Sequence, residues 1–414
     1  MKKLLPLVIL LILSSCSGLL QEPALETDKG QDAAPSKYAV SIEDAVKIAE
    51  KYRSEITEGA GSTRSFPAIK SIETIKNHKT RSIGDSGIEN YFYLINYAED
   101  GGFALLGADT RMAPLYAISD EGHLSMQDTV WNPGLSAMIN SYINQANGDD
   151  DVVPVDSLIT KPIPPHAGDV IGLEEYRVNP PVLARYVRMW HQSAPFNKYT
   201  PELYNPDTGQ MSHAPVGCVP LAIGMIMSYY EYPDAYMGYS YNWPAMKTGG
   251  SDEDVAHLLA SLGKPNNLNS DYELGSTGTY EFSIAGTLKN FKYESAKGSQ
   301  RFSTTANHQL YDVVKPILVL GTVDNPAAGH AWVVDGSIWH HIPVEGNIGD
   351  LTYNDYRYLH CVWGWRGDGN GYYLFDGRTL GGKSYDTAPD EWVSLGIKYT
   401  FNLGSFWSDI KPIK

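Results

Sequence analysis

Apolar residues recur at helical spacing in two stretches of the first third of the chain. Ser41, with Asp44 three positions later, predicts the N-cap of the first helix. A second helix is predicted over residues 133–146, with Asn132 as its N-cap, because proline is favoured at the first helical position. The apolar face of the first helix comprises Ala45, Ile48, Ala49 and Tyr52.

Short apolar or alternating runs predict strands on both sides of these helices. The turn sequence at 99–102 lies between two of them and predicts a hairpin. The first three runs are Tyr91 to Asn96, Gly102 to Gly107 and Leu115 to Ile118. The later runs are Ile317 to Leu320, Ala331 to Val334, Tyr358 to Trp363 and Gly371 to Phe375. Helices followed by an antiparallel sheet indicate an α+β fold.

A change in composition divides the chain into two modules. Residues 38–147 form a small α+β module, and residues 178–414 form a larger domain. Residues 148–177 between them are rich in proline and acidic side chains, which is typical of an exposed connector. Such a connector is a favoured site of proteolytic cleavage, so we expect processing there.

The N-terminus has the pattern of an export signal. Lys2 and Lys3 precede an apolar run, Leu4 to Leu13, that is too short to span a bilayer. The run ends just before Cys16, as in a bacterial lipobox. We therefore predict a lipoprotein signal over residues 1–16, with Cys16 lipidated, and a flexible tether over 17–37. The alternative is an ordinary secretory signal that is cleaved nearby.

Composition narrows the classes of function. The formal net charge of -16 argues against nucleic-acid binding, because a phosphate backbone needs basic partners. The chain has 3 cysteines and no CxxC or HExxH pattern, so we expect neither zinc nor another cofactor. Cys218 and Cys361 could form one disulfide, but each lies in its own sequence context, which favours free thiols. Cys361 lies inside a strand run and is expected to be buried and inert.

One cysteine and one histidine suggest nucleophilic catalysis. Pro220 suits the first turn of a helix, which places Cys218 at the helix N-terminus. The helix dipole and a partner imidazole lower the pKa of a thiol and make it a nucleophile. His330 could act as the general base and then protonate the leaving amine. The alternatives are a buried structural cysteine and a histidine satisfied within the core.

Two further residues could complete such a site. Gln192 lies upstream of the cysteine, and its amide could bind the oxyanion together with the main-chain N–H of Cys218. Trp363 could shield the hydrogen bonds of the imidazole from water. The alternatives are a surface glutamine and a tight, glycine-rich turn around the tryptophan.

These residues occur in the order and spacing of the streptopain-like cysteine peptidases, a papain-like family. Runs 190–197 and 329–336 resemble that family along their length, and 101–111 resembles its inhibitory propeptide. The resemblance implies a papain-like peptidase domain, with a helical half and an antiparallel sheet half, preceded by a small α+β propeptide. It implies that residues 38–147 inhibit the enzyme until cleavage within 148–177.

The resemblance also implies a role for each matching residue. The nucleophile would be Cys218, the proton shuttle His330, and the oxyanion-binding side chain Gln192, with Trp363 beside the histidine. The residues expected to line the substrate-binding site are Gly217, Gly329 and Ala331.

The chain departs from the family pattern at two positions. Val362 stands where the family usually has an asparagine, and valine cannot hydrogen-bond the imidazole. Another group, such as a main-chain carbonyl, would have to orient the histidine, or the enzyme would be weaker. Arg366 places a bulky cation near the rim of the cleft, where a small residue is usual.

The sequence therefore predicts an exported, lipid-anchored cysteine endopeptidase made as a zymogen. Its partners would be protein or peptide substrates, its own propeptide and a membrane at the cell surface or in the periplasm; processing could release the mature enzyme. One alternative is a weakened relative that acts as a binding or inhibitory lipoprotein. Another is a cysteine enzyme that hydrolyses an amide in a substrate other than a protein.

Overall fold

A computed structural model describes most of the chain after residue 37. The described residues are 38–61, 67–76, 90–126, 132–147, 174–294, 309–322, 329–344, 352–381, 393–394, 402–408 and 410–413. The predicted signal (1–16), tether (17–37) and most of the predicted linker (148–173) lie outside them. Residues 38–414 form one compact unit.

Seven helices are found among the described residues. They are α1 (Ile42–Gly59), α2 (Pro133–Asn147), α3 (Arg185–Arg188), α4 (Cys218–Tyr230), α5 (Trp243–Thr248), α6 (Asp252–Gly263) and α7 (Phe282–Asn290). Ser41 caps α1 by accepting a hydrogen bond from the N–H of Asp44, and Asn132 caps α2, as predicted. Within the described ranges, no helix combines the length and the apolar character needed to cross a membrane.

The strands come in two sets along the chain. The first set is β1 (Ile69–Lys76), β2 (Asn90–Tyr97), β3 (Phe103–Gly107), β4 (Leu115–Ser119), β5 (Glu175–Asn179), β6 (Glu202–Asn205), β7 (Gln210–His213), β8 (Ala235–Tyr236) and β9 (Tyr239–Ser240). The second set is β10 (Asp271–Tyr272), β11 (Thr277–Gly278), β12 (Ile317–Thr322), β13 (Gly329–Val344), β14 (Thr352–Val362), β15 (Gly371–Gly381), β16 (Val393–Ser394) and β17 (Asn402–Trp407). All seven strand predictions fall on strands of this structure.

One antiparallel sheet runs through both modules. Its order is β1-β2-β3-β4-β15-β14-β13-β12-β17, with β16 beside β15 and β5 beside β13. The modules join where β4 pairs with β15, with Tyr372 opposite Ile118. The sequence predicted two separate α+β modules, because a local pattern of hydrophobicity identifies a strand but not its partner from a distant part of the chain.

Strand β5 begins inside the segment predicted as a linker. Its residues pair with the second half of β13, from Ser337 opposite Asn179 to His341 opposite Glu175. Ordered structure thus resumes earlier than the proline-rich composition indicated, because the pairing partner lies about 160 residues further along the chain.

Strand β13 separates two apolar cores. Trp332, Val334 and Ile338 face the core that contains α1 and α2, whereas Ala331 and Val333 face the core around α4. This alternation is the two-residue period of a strand. Residues 219–228 of α4 are all buried, since α5, α6, α7 and the sheet surround that helix.

Candidate active site

The candidate nucleophile, Cys218, is the first residue of α4, as predicted. Gly217 before it has a φ of 97°, a conformation that favours glycine. A Cβ at this glycine would lie 3.1 Å from Cγ2 of Thr277 on β11. Thr277 donates a hydrogen bond to the carbonyl of Pro215 at 2.7 Å, so β11 supports the turn that precedes the nucleophile. No pattern in the sequence marked this threonine.

The thiol of Cys218 is not activated in this form of the chain. Burial raises its pKa above the usual range, although the main-chain N–H groups of Ala331, Cys218 and Val219 act in the opposite direction. The sequence predicted a lowered pKa from the helix dipole and a partner imidazole, and for this form that prediction is wrong. The helix terminus is present, but desolvation outweighs it. The N–H of Ala331 nevertheless brings the start of β13 against the thiol.

His330 is the second residue of β13, and its side chain is buried. Its Nε2 lies 3.0 Å from the main-chain carbonyl oxygen of Trp363. A carbonyl can only accept, so Nε2 carries the proton, and in the neutral ring Nδ1 is left with a lone pair. Burial lowers the pKa of His330 to about 4, although the hydrogen bond to the carbonyl of Trp363 acts to raise it. The imidazole is therefore neutral near pH 7.

This neutral imidazole corrects a second expectation. The sequence suggested that a partner imidazole activates the thiol, but the described side chains of Cys218 and His330 share no hydrogen bond, and each has its pKa moved towards the neutral form. With valine at position 362, the imidazole needed a main-chain partner, and the carbonyl of Trp363 provides it. Val362 itself is fully buried in the core around α4.

Trp363 is held by hydrogen bonds from its main chain and from its indole. Its main-chain N–H donates to Oδ1 of Asn370 at 3.0 Å, and its Nε1 donates to the carbonyl of Gly369 at the same distance. Nδ2 of Asn370 in turn donates to the carbonyl of Arg188 at 3.0 Å. Asn370 thus positions the tryptophan and its carbonyl. The sequence analysis missed it, although it lies in the glycine-rich turn that was singled out.

The other predicted residues lie around this pair. Gln192 is half-buried, and its main-chain carbonyl accepts from the N–H of Val216 at 2.9 Å, which ties it to the segment before Cys218. Gly329 is exposed at the start of β13 and pairs with Thr322. Across the part of the chain that the structure describes, no group of His, Cys, Asp and Glu is arranged to hold a metal ion.

The N-terminus of α2 covers the histidine. A Cβ added to Gly134 would lie 2.7 Å from Cδ2 of His330 and 2.6 Å from Cε3 of Trp363, closer than real Cβ contacts come. Asn132 fixes this approach, because its Oδ1 accepts from the N–H of Gly134 at 3.0 Å and of Leu135 at 3.3 Å. The N-terminal module therefore packs its backbone directly against the candidate catalytic imidazole. Nothing in the sequence marked this glycine.

Comparison with protein families assigns a class to both modules. Residues 190–373 match the Peptidase C10 family, and residues 37–146 match the Spi protease inhibitor family. The chain therefore carries a domain that matches the Peptidase C10 family, preceded by a module that matches a protease inhibitor family.

Several known proteins are similar to this chain. The chain is 25% identical over 353 residues to the thiol protease/hemagglutinin PrtT of Porphyromonas gingivalis, a match that covers 76% of this chain but only 38% of that protein. It is 22% identical over 355 residues to streptopain of Streptococcus pyogenes, covering 74% of this chain and 79% of streptopain. A fragment of prointerpain A from Prevotella intermedia matches with a TM-score of 0.49 and 19% identity, over 83% of this chain and 100% of the fragment.

Proposed function

We propose that this chain is the zymogen of a cysteine endopeptidase, with Cys218 as nucleophile and His330 as proton shuttle. The observation that carries the proposal is the contact of Gly134 with His330 and Trp363. An inhibitor module whose backbone fills the space beside the imidazole excludes a substrate from the same place. The contact supports inhibition by the chain's own N-terminal module.

The proposed reaction begins when residues 38–147 leave the peptidase. Nε2 of His330 stays with the carbonyl of Trp363, so Nδ1 is the nitrogen that takes the proton of the thiol. The Cys218 sulfur then attacks the peptide carbonyl, and the oxyanion is bound by the N–H of Cys218 and the amide of Gln192. The imidazolium gives its proton to the leaving amine, and water hydrolyses the thioester that remains.

Departure of the N-terminal module would also change the electrostatics of the pair. Both pKa shifts in the zymogen arise mainly from burial. Water that reaches the cleft reduces the desolvation of both groups and favours the charged thiolate and imidazolium. The cover over His330 would therefore inhibit in two ways: it blocks access to the imidazole and it helps to keep the imidazole neutral.

The test is cleavage of an unstructured protein under reducing conditions by the processed chain. We expect turnover that is abolished in Cys218→Ala and lowered by about 10²–10³ in Gln192→Ala, the usual effect of losing one oxyanion donor. Cys361→Ala is the matched control, since it removes a thiol outside the cleft. If the unchanged chain and Cys218→Ala behave identically, the proposal is wrong.

Activation is proposed to occur by cleavage within residues 148–177. The composition of this segment supports it, as a proline-rich acidic connector is accessible to proteases. We expect the chain to shorten by roughly 15–20 kDa during incubation, and Cys218→Ala to do so more slowly if the cleavage is its own. Mass spectrometry of the new N-terminus would locate the site, and a terminus outside 148–177 would reject this segment.

A second candidate function is that of a binding or inhibitory protein with little catalysis. Val362 favours it, because no side-chain amide orients the imidazole and the carbonyl of Trp363 is the partner found. This function predicts tight binding to a protein partner that is unchanged in Cys218→Ala. Cleavage by the processed chain that depends on Cys218 and His330 would exclude it.

We further propose that the chain is exported and anchored to a membrane through a lipid on Cys16. The charged start, the short apolar run and the position of the cysteine support this. Cleavage in the linker would leave the lipid on the inhibitor module and free the peptidase. The test is lipid labelling and membrane fractionation of Cys16→Ala; partitioning like the unchanged chain would refute the anchor.

A further inference from the structure

A single carboxylate of the inhibitor module is inserted between two elements of the peptidase module. Glu121 follows β4, and its side chain is only 19% exposed. Its Oε1 lies 3.1 Å from Nη2 and 3.2 Å from Nε of Arg185, the first residue of α3. Two nitrogens of the guanidinium thus contact one oxygen of the carboxylate in a charge-assisted pair.

The backbone at Gly367 opens the space for this carboxylate. A Cβ at that position would lie 2.7 Å from Oε2 of Glu121 and 2.5 Å from Sδ of Met189. Gly367 also has a φ of 90°, which disfavours any other residue. The peptidase module thus forms a small recess with an arginine on one side and a bare backbone on the other. We call the recess of Arg185, Met189 and Gly367 the carboxylate recess.

The carboxylate recess adjoins the catalytic cleft. Met189 lies three residues before Gln192, and Gly367 lies four residues after Trp363. The two segments are tied together by a bridge between His191 and Trp365. A peptide that crosses the cleft can therefore reach the recess within a few residues of the scissile bond.

A second cation, Arg366, precedes Gly367 on the same loop. Arg366 is exposed, and no ion pair joins it to a carboxylate among the described residues. The pKa of His191 is lowered to about 4, mainly by burial and next by the positive charge of Arg366. The acidic side chain on the same loop, Asp368, has its Oδ1 beside Gly122. Release of the inhibitor module would leave Arg185 and Arg366 exposed beside the cleft of a strongly acidic chain.

We propose that the carboxylate recess is a specificity subsite that binds an acidic side chain of the substrate, and that Glu121 occupies it as a mimic in the zymogen. The inference rests on the proposed function, because the inhibitor module must leave before a substrate enters. The substrate class is a protein segment with Asp or Glu near the cleaved bond. A recess for a neutral side chain would need neither arginine.

The test uses the full chain after incubation until the linker is cut. Kinetics are measured with a set of neutral peptides in which one Glu, or one Gln, is moved stepwise along the sequence. We expect kcat/KM to favour Glu over Gln by roughly two- to fivefold at one position, the scale of a partly exposed ion pair. Arg185→Gln should reduce that preference to near unity by lowering kcat/KM for the Glu peptide towards that for the Gln peptide.

Two controls separate this inference from the proposed function. Lys247→Gln also removes one cation from an ion pair, with Glu231, and should keep the preference for Glu. Equal cleavage of Glu and Gln peptides at every position overturns the subsite but leaves the peptidase function standing. If the chain cleaves none of the peptides, binding of the same peptides to the cut Cys218→Ala chain is measured instead. Tighter binding of the Glu peptide that depends on Arg185 supports the recess as a subsite. Equal binding of the Glu and Gln peptides rejects it.

Discussion

The contact between Gly134 and His330 makes a quantitative prediction for Gly134→Ala. The added methyl group would lie at 2.6–2.7 Å from ring atoms of His330 and Trp363, so α2 must shift or the rings must move. Overpacking of this kind costs about 1–3 kcal/mol. Because Ala favours a helix over Gly by up to about 1 kcal/mol, the net destabilisation of docking is about 1–2 kcal/mol. The ratio of docked to undocked inhibitor should fall by about 5- to 30-fold.

The assay follows this ratio through activity before processing. Initial hydrolysis of a fluorogenic peptide by the uncut chain should rise by about the same factor, and the half-time for linker cleavage should shorten. The matched control is Gly286→Ala in α7, where an added Cβ meets nothing within 4 Å, and which should leave both rates unchanged. A folded Gly134→Ala chain with the initial rate and half-time of the unchanged chain would refute the assignment of α2 as the block.

Three further predictions concern other buried groups. Asn370→Ala should lower the free energy of unfolding by about 2–3 kcal/mol and reduce kcat, since it leaves the N–H of Trp363 unpaired; chemical denaturation and kinetics measure both. Burial lowers the pKa of His340 to about 4. The neutral ring therefore contributes its full share to the free energy of unfolding above pH 6.5, and this contribution is lost as the pH falls towards 4. The loss at pH 5 should be up to about 2 kcal/mol. Thermal unfolding at pH 7 and 5 should show this loss, with a smaller loss in His340→Gln, and an equal loss would contradict it. Burial raises the pKa of Cys361 well above its usual range, so a thiol reagent should modify Cys218 of the processed chain but reach Cys361 only after unfolding.

The sequence predicted local structure well where one short signal determines it. The caps at Ser41 and Asn132, and Cys218 at the start of α4, each depend on residues within a few positions, and the structure has them in place. The pairing of β4 with β15 and of β5 with β13 joins residues far apart in the chain. A strand pattern carries no record of such partners, which is why the two modules were predicted as separate.

The candidate site shows the same division. Its residue types and order were visible in the sequence, as were Val362 and the need for a main-chain partner of the imidazole. The state of the pair was not visible, because the pKa values of Cys218 and His330 depend on burial in the folded chain. Gly134 could not be recognised either, since a glycine that must lie against two rings has no local signature.

The central claim is that Cys218 becomes a reactive thiolate, with His330 as its partner, once the inhibitor module has left. The most direct measurement is labelling with an epoxide that traps cysteine peptidases, with the adduct mapped by mass spectrometry in the uncut and the processed chain. The account predicts rapid labelling at Cys218 after processing, little labelling before it, and loss of labelling in His330→Ala. A processed chain that stays unlabelled at Cys218, or is labelled equally well in His330→Ala, would contradict it.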